Sequence, residues 1–123
     1  MLWPELAEVG ECYITPDEKK GARFKIVESD EFTVSIKTTG GSNVQIRRDS
    51  FIAALFFLLQ EGHMSKERGC LIGASIGKPG SLDTATRVHS GGTMVISYIL
   101  PILAETGIVG IDGKSPNVTW INV

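Results

Sequence analysis

The sequence predicts an α+β fold, in which a three-stranded antiparallel β-sheet precedes a body of three helices and a C-terminal β-hairpin. Three observations predict it. Between Arg23 and Arg47 apolar and polar residues alternate with the period of two that marks half-buried strands. From Phe51 the apolar spacing changes to three and four, and the same spacing returns more strongly at Met94, Ile96, Ile99, Leu100 and Leu103, which places those residues on one helical face. Gly107 then supplies a helix stop, and two β-prone runs, 108–111 and 118–123, flank Asp-Gly and Ser-Pro turn chemistry at 112–116.

A chain of 123 residues with 42% hydrophobic and 21% charged residues has material for one core without metal or disulfide staples, and the expectation is a single domain. Within it, residues 1–21 read as an N-terminal arm, 22–48 as the sheet and 49–123 as the helical body. The longest apolar runs, 51–59 and 95–103, are too short to cross a bilayer, and the first residues lack the basic start and apolar run of a signal peptide, so a cytoplasmic protein is expected. Cys12 and Cys70 lack CxxC spacing, and with His63 and His89 they complete no tetrahedral ligand set. Neither zinc nor another cofactor is expected, and two reduced, partly buried thiols are favoured over a disulfide.

The net charge of −2 is unevenly distributed. Residues 1–18 hold five of the fourteen acids and no Lys or Arg; the remainder sets all twelve basic residues against nine acids, a balance of +3. The mildly basic body permits a polyanion partner without demanding one.

In chain order, the arm carries Leu2, Trp3, Leu6 and Val9 among glutamates and the breakers Gly10, Pro16 and Gly21, and reads as one helical turn and a loop laid over the domain or a partner. Three strands follow: Phe24 and Ile26; Phe32, Val34 and Ile36; and Val44 and Ile46 form their inner sides. Gly40-Gly41 supplies the hairpin turn between the last two. Asp49 or Ser50 is suited to cap a helix over 51–60, whose core stripe would be Phe51, Ile52, Leu55, Leu58 and Leu59. Phe56 and Phe57 widen that stripe, so either the sheet covers a second side of this helix, the favoured reading, or two chains meet there. Residues 70–72 suit an edge strand. Ser81 is suited to cap a second helix over 82–89 with Leu82, Ala85 and Val88 on one side, and 90–92 turn into the third helix, 93–106.

The order helix, short strand, helix, tight glycine turn, helix, hairpin over residues 50–123 resembles the winged helix-turn-helix superfamily. The piece that carries most of the likeness is Leu100-Pro101-Ile102-Leu103-Ala104-Glu105-Thr106-Gly107-Ile108-Val109, similar to the ending by which such third helices run into the wing. The resemblance implies a small prokaryotic-type regulatory protein that binds double-stranded DNA, with the third helix in the major groove and the wing on the backbone. Groove-facing positions would be Thr93, Val95, Ser97, Tyr98 and Ile102, with Lys114, Ser115 and Asn117 on the wing. This chain departs from that pattern. Residues 93–106 contain no Arg, Lys, Asn or Gln to reach base edges, and Pro101 removes an amide donor inside the helix. A core or subunit-contact helix is the competing reading.

The strand alternation offers another surface. Arg23, Lys25, Lys37 and Arg47 share the outer face with Thr33, Ser35 and Gln45, with Glu28, Asp30 and Glu31 expected in the connection. Four cations without an acid suit a sequence-independent phosphate platform; a solvated strand face is the plain alternative. Arg48, Lys78, Arg87 and Lys114 would supplement them. Catalytic signatures are absent: Pro16-Asp17-Glu18-Lys19 has no partner motif on a nearby strand, the glycines at 73–80 form no phosphate loop, and Cys70 reads as a core residue. The expectation is therefore a non-catalytic nucleic-acid-binding or regulatory module. The alternative is a homodimeric or partner-binding module that buries Phe56, Phe57 and an apolar outer side of the third helix, Val95, Tyr98 and Ile102.

Overall fold

The computed structural model describes residues 9–16, 22–72, 76–114 and 117–122. It is a mixed α+β structure. A four-stranded antiparallel sheet runs in the order β1-β2-β3-β4 (Cys12–Ile14, Arg23–Ser29, Thr33–Thr38, Asn43–Arg47). Helix α1 (Arg48–Gln60) follows β4 directly. After it come β5 (Cys70–Leu71), α2 (Leu82–Arg87), α3 (Ile96–Glu105), β6 (Val109–Asp112) and β7 (Val118–Ile121), and the last strands join β5 in a three-stranded sheet ordered β5-β7-β6. Short 3-10 turns at Lys66–Arg68 and Val88–Ser90 precede β5 and extend α2.

The first sheet has one strand more than the sequence suggested. Cys12-Tyr13-Ile14 lies between the breakers Gly10 and Pro16, too short to show a period, yet it pairs Tyr13 with Phe24 and stacks their rings at 5.6 Å. The inner face of this sheet, with Phe24, Ile26, Val34, Ile36 and Ile46, joins Phe51, Ala54 and Leu58 of α1, most of α3, and Val109 and Ile121 in one contiguous apolar cluster. Each large side chain so buried contributes about 1.5–3 kcal/mol relative to leaving it in water.

Several boundaries move for local reasons. The first helix starts at Arg48, with Arg47 as its cap residue and no side-chain cap, so Asp49 and Ser50 lie in the first turn and do not cap it. Ser81 does cap α2, accepting a hydrogen bond from the Thr84 amide at 3.3 Å. The third helix starts three residues late, because Gly91 and Gly92 hold positive φ (69° and 84°) and the helical bonds begin only at the Val95 carbonyl. Gly107, at φ 82°, ends it as expected. Of the expected α1 stripe, Phe51 and Leu58 are buried, Leu55 is partly buried, and Ile52 and Leu59 face solvent; Val88, expected beside Leu82, is exposed.

The largest correction concerns α3. Its expected outer residues Val95 and Ile102 are both 0% exposed, and Tyr98 sits edge-to-face on Phe24 at 5.2 Å. The four-stranded sheet packs on both helices, β4 against α1 and β1 with Phe24 of β2 against α3. Neither Val95 nor Ile102 is placed to reach a groove or a second chain.

Candidate nucleic-acid interface

The outer face of the four-stranded sheet is built by strand alternation. Because Ile26, Val34, Ile36 and Ile46 fill the core, their neighbours Lys25, Lys37 and Arg47 point the other way, and all three are exposed, as is Arg23. The register sets Lys25 directly opposite Lys37, with Cys12 on the far side of Lys25 and Asn43 on the far side of Lys37. Like charges directly opposite on one face are destabilising, and no acid lies across from either lysine in this row of four strands. Arg23 pairs across with Ile14, and Arg47 with Thr33. A cavity of 430 Å³ lies over Cys12, Arg23, Lys25, Val27, Lys37 and Thr39.

One acid does stand on this face. β2 continues to Ser29 through a bulge between Ile26 and Glu28, which exposes Val27 and brings Glu28 opposite Ser35. The expectation that Glu28 lies in the connection is corrected; alternation alone does not reveal a bulge. Asp30 does lie in the turn, where the amides of Phe32 and Thr33 donate to its Oδ1 at 2.8 Å each and hold its pKa below the usual carboxylate value.

Two of the expected phosphate contacts are committed elsewhere. Arg48 is 4% exposed, and its guanidinium donates to the Asp30 carbonyl and, at 2.6 Å, to Ser29 Oγ, tying the start of α1 to the β2–β3 turn. Burial draws its pKa down and Asp30 partly offsets this. Arg87 forms a two-point pair with buried Asp83, Nη2 to Oδ2 at 2.7 Å and Nε to Oδ1 at 3.2 Å, while the Gly77 amide donates to Asp83 Oδ2. Sequence position cannot distinguish such a clamp from a free arginine.

The remaining expected contacts are dispersed. Lys78 is exposed in the 76–80 loop, and Ser97 is partly buried on α3. On the wing, Lys114 is exposed, but its amide donates to Asp112, whose pKa is lowered first by that bond and then by the Lys66 ion pair at 3.1 Å. The Asn117 carbonyl accepts from the Ile72 amide, and Ser115 lies outside the described residues.

Comparison with protein-family models, with curated proteins and with solved structures finds no match to this chain.

Beside the outer face is a larger cleft that sequence reasoning missed. Its 670 Å³ lie between β4 and the turn after α2, lined by Asn43, Gln45, Arg47, Asp49, His89 and Thr93, among others. A buried hydroxyl relay fixes this wall. The Arg47 amide donates to Ser90 Oγ at 3.2 Å, Ser50 Oγ donates to the Thr86 carbonyl at 2.8 Å, and the two hydroxyls meet at 2.7 Å. Ser50 has only one proton, so Ser90 donates to Ser50. Thus Thr93 joins Arg47 and His89 at one site, although they are dispersed in sequence.

The described residues contain no group of three His, Cys, Asp or Glu able to hold a metal ion, and no helix long and apolar enough to cross a membrane. Both cysteines are free. Cys12 is exposed, against the expectation of partial burial, because it sits on the outer side of edge strand β1; Cys70 is buried, and burial, reinforced by Glu61, raises its pKa to about 11.

Proposed function

We propose that this chain is a non-catalytic nucleic-acid-binding module that holds the phosphate backbone on the outer face of its four-stranded sheet, through Arg23, Lys25, Lys37 and Arg47. The observation that carries the reading is the exposed Lys25–Lys37 row, a like-charged pair with no acid across from it. A winged-helix reading of the body rests on its element order and on β5 pairing with β7 beside the hairpin. In this reading α3 is a core helix, and contact with duplex DNA comes from the sheet, assisted by Thr93 and by Lys114 on the wing. Base-edge readers are lacking on α3, so the expected binding is sequence-independent. The free thiols suit a cytoplasmic setting.

The test is anisotropy of a random-sequence duplex at several salt concentrations. Lys37→Ala with Arg47→Ala should flatten the logarithmic salt slope by about 1.8, at about 0.9 for each phosphate no longer neutralised. Glu28→Gln should tighten binding, since Glu28 is the acid within the face. No binding at low salt, or an unchanged slope in the double variant, would sink the proposal.

A second reading is favoured by one observation. Ile52, Phe56 and Leu59, spaced four and three along α1, are all exposed, with Phe56 at 59%. Ile52 and Phe56, with partly buried Phe57 and with Ala85, line the apolar part of a groove of 450 Å³ that Asp49, Gln60 and His89 complete. Such a stripe suits a homodimer or partner-protein contact. Light scattering distinguishes it: Phe56→Glu would halve an oligomeric mass and leave duplex binding intact.

A further inference from the structure

Strand β4 is an edge of its sheet, and its hydrogen-bonding parity is fixed by three bonds. The Thr38 amide donates to the Ser42 carbonyl and the Arg48 amide to the Phe32 carbonyl, so even-numbered residues of this segment bond to β3. The Arg47 amide points away, to Ser90 Oγ. In an antiparallel pair the amide and carbonyl of alternate residues face the same way, so the backbone groups of Asn43 and Gln45 also point away from β3. They face the 670 Å³ cleft, within the ~300–1,000 Å³ range of ligand sites. No described residue outside the ladder bonds to them. The far wall at Gly91 carries no side chain.

We propose that this cleft receives the C-terminal tail of a partner protein, which adds to the open edge of β4 as a short parallel strand. The ladder can extend along Asn43 and Gln45 but stops at Arg47, whose amide Ser90 already occupies. A strand entering here therefore ends or turns out at Arg47. In parallel register the antepenultimate residue donates to the Asn43 carbonyl and accepts from the Gln45 amide, and the last residue, two further on, donates to the Gln45 carbonyl. Its carboxylate then lies beside the Arg47 guanidinium and the His89 ring, both on the cleft. The antiparallel alternative brings an ammonium to Arg47 and is disfavoured by charge. Asp49, the acid on the same cleft, opposes further carboxylates, so a single terminal one fits better than an acidic run. Backbone pairing supplies affinity that is largely indifferent to side chains, and the terminal charge fixes register.

The experiment is a titration of the 15N-labelled full chain with a pool of pentapeptides randomised at their last three positions, as free acids and as C-terminal amides. The expected result is saturable shifts of the Asn43 and Gln45 amides and of residues 89–93 with the acids, and at least tenfold weaker binding of the amides. Gln45→Pro removes an amide that the ladder does not use. It should abolish peptide binding and leave duplex binding unchanged, which separates this inference from the phosphate reading. Arg47→Gln, which keeps every backbone bond, should erase the preference for acids over amides and serves if Gln45→Pro fails to fold. Absence of saturable shifts at residues 43–47, or equal binding of acids and amides, overturns the proposal.

Discussion

The hydroxyl relay joining β4, α1 and α2 makes an ordered prediction about stability. Ser50 and Thr86 are both fully buried, so Ser50→Ala leaves the Thr86 carbonyl without the serine donor where water has no access, and takes from the Ser90 hydroxyl its acceptor. Ser90 lies on the cleft wall, so in Ser90→Ala water can take over the Arg47 amide. Leaving a buried polar group unsatisfied costs about 1–3 kcal/mol, which sets Ser50→Ala near the upper end, about 2–3 kcal/mol, and Ser90→Ala near about 1 kcal/mol. The double variant loses the shared bond only once, so its cost should fall short of the sum by about 1 kcal/mol. Equilibrium urea unfolding with a common m-value measures all three. Thermal midpoints should fall by roughly 3–5 °C per kcal/mol for a chain of this size. Strictly additive costs, or a Ser90→Ala cost above that of Ser50→Ala, would refute both the proton directions assigned to the relay and its exclusion of water.

The other predictions concern the hairpin and the thiols. Gly110 faces Trp120 in the β6–β7 register, and a Cβ there would come within 2.3 Å of the indole ring. Gly110→Ala should therefore displace Trp120, break its Nε1 bond to Asn122 and cost about 1–3 kcal/mol, read from urea midpoints and a red-shifted Trp emission; unchanged emission would contradict it. A thiol reagent should modify Cys12 rapidly in the folded protein and Cys70 only on unfolding. Because the folded Cys70 thiol titrates at about 11 against an ordinary 9.0, the native state holds its proton more tightly. Its stabilising contribution is complete below pH 9 and is lost as pH rises toward 11. The pH 8 to pH 11 loss of stability should be smaller in Cys70→Ala than in the parent; equal losses would remove Cys70 as a cause.

Local chemistry determined much of this fold from the sequence. The period of two located β2, β3 and β4 and put Arg23, Lys25, Lys37 and Arg47 outside, because alternation is a property of the strand itself. Ser81 and Gly107 marked helix boundaries because their roles depend on adjacent amides and on φ, not on distant partners. Tertiary structure decided which faces were covered. A helix apolar on several sides does not say which neighbour it meets, so the shared core enclosed Val95 and Ile102, while Ile52, Phe56 and Leu59 of α1 remained in water. The same holds for charge: Arg48 and Arg87 look like Arg47 in the sequence, and only the placement of Ser29, Asp30 and Asp83 turned them inward. The open edge of β4 and its cleft arise because Ser90, 43 residues downstream of Arg47, closes one end of that edge and leaves the other open.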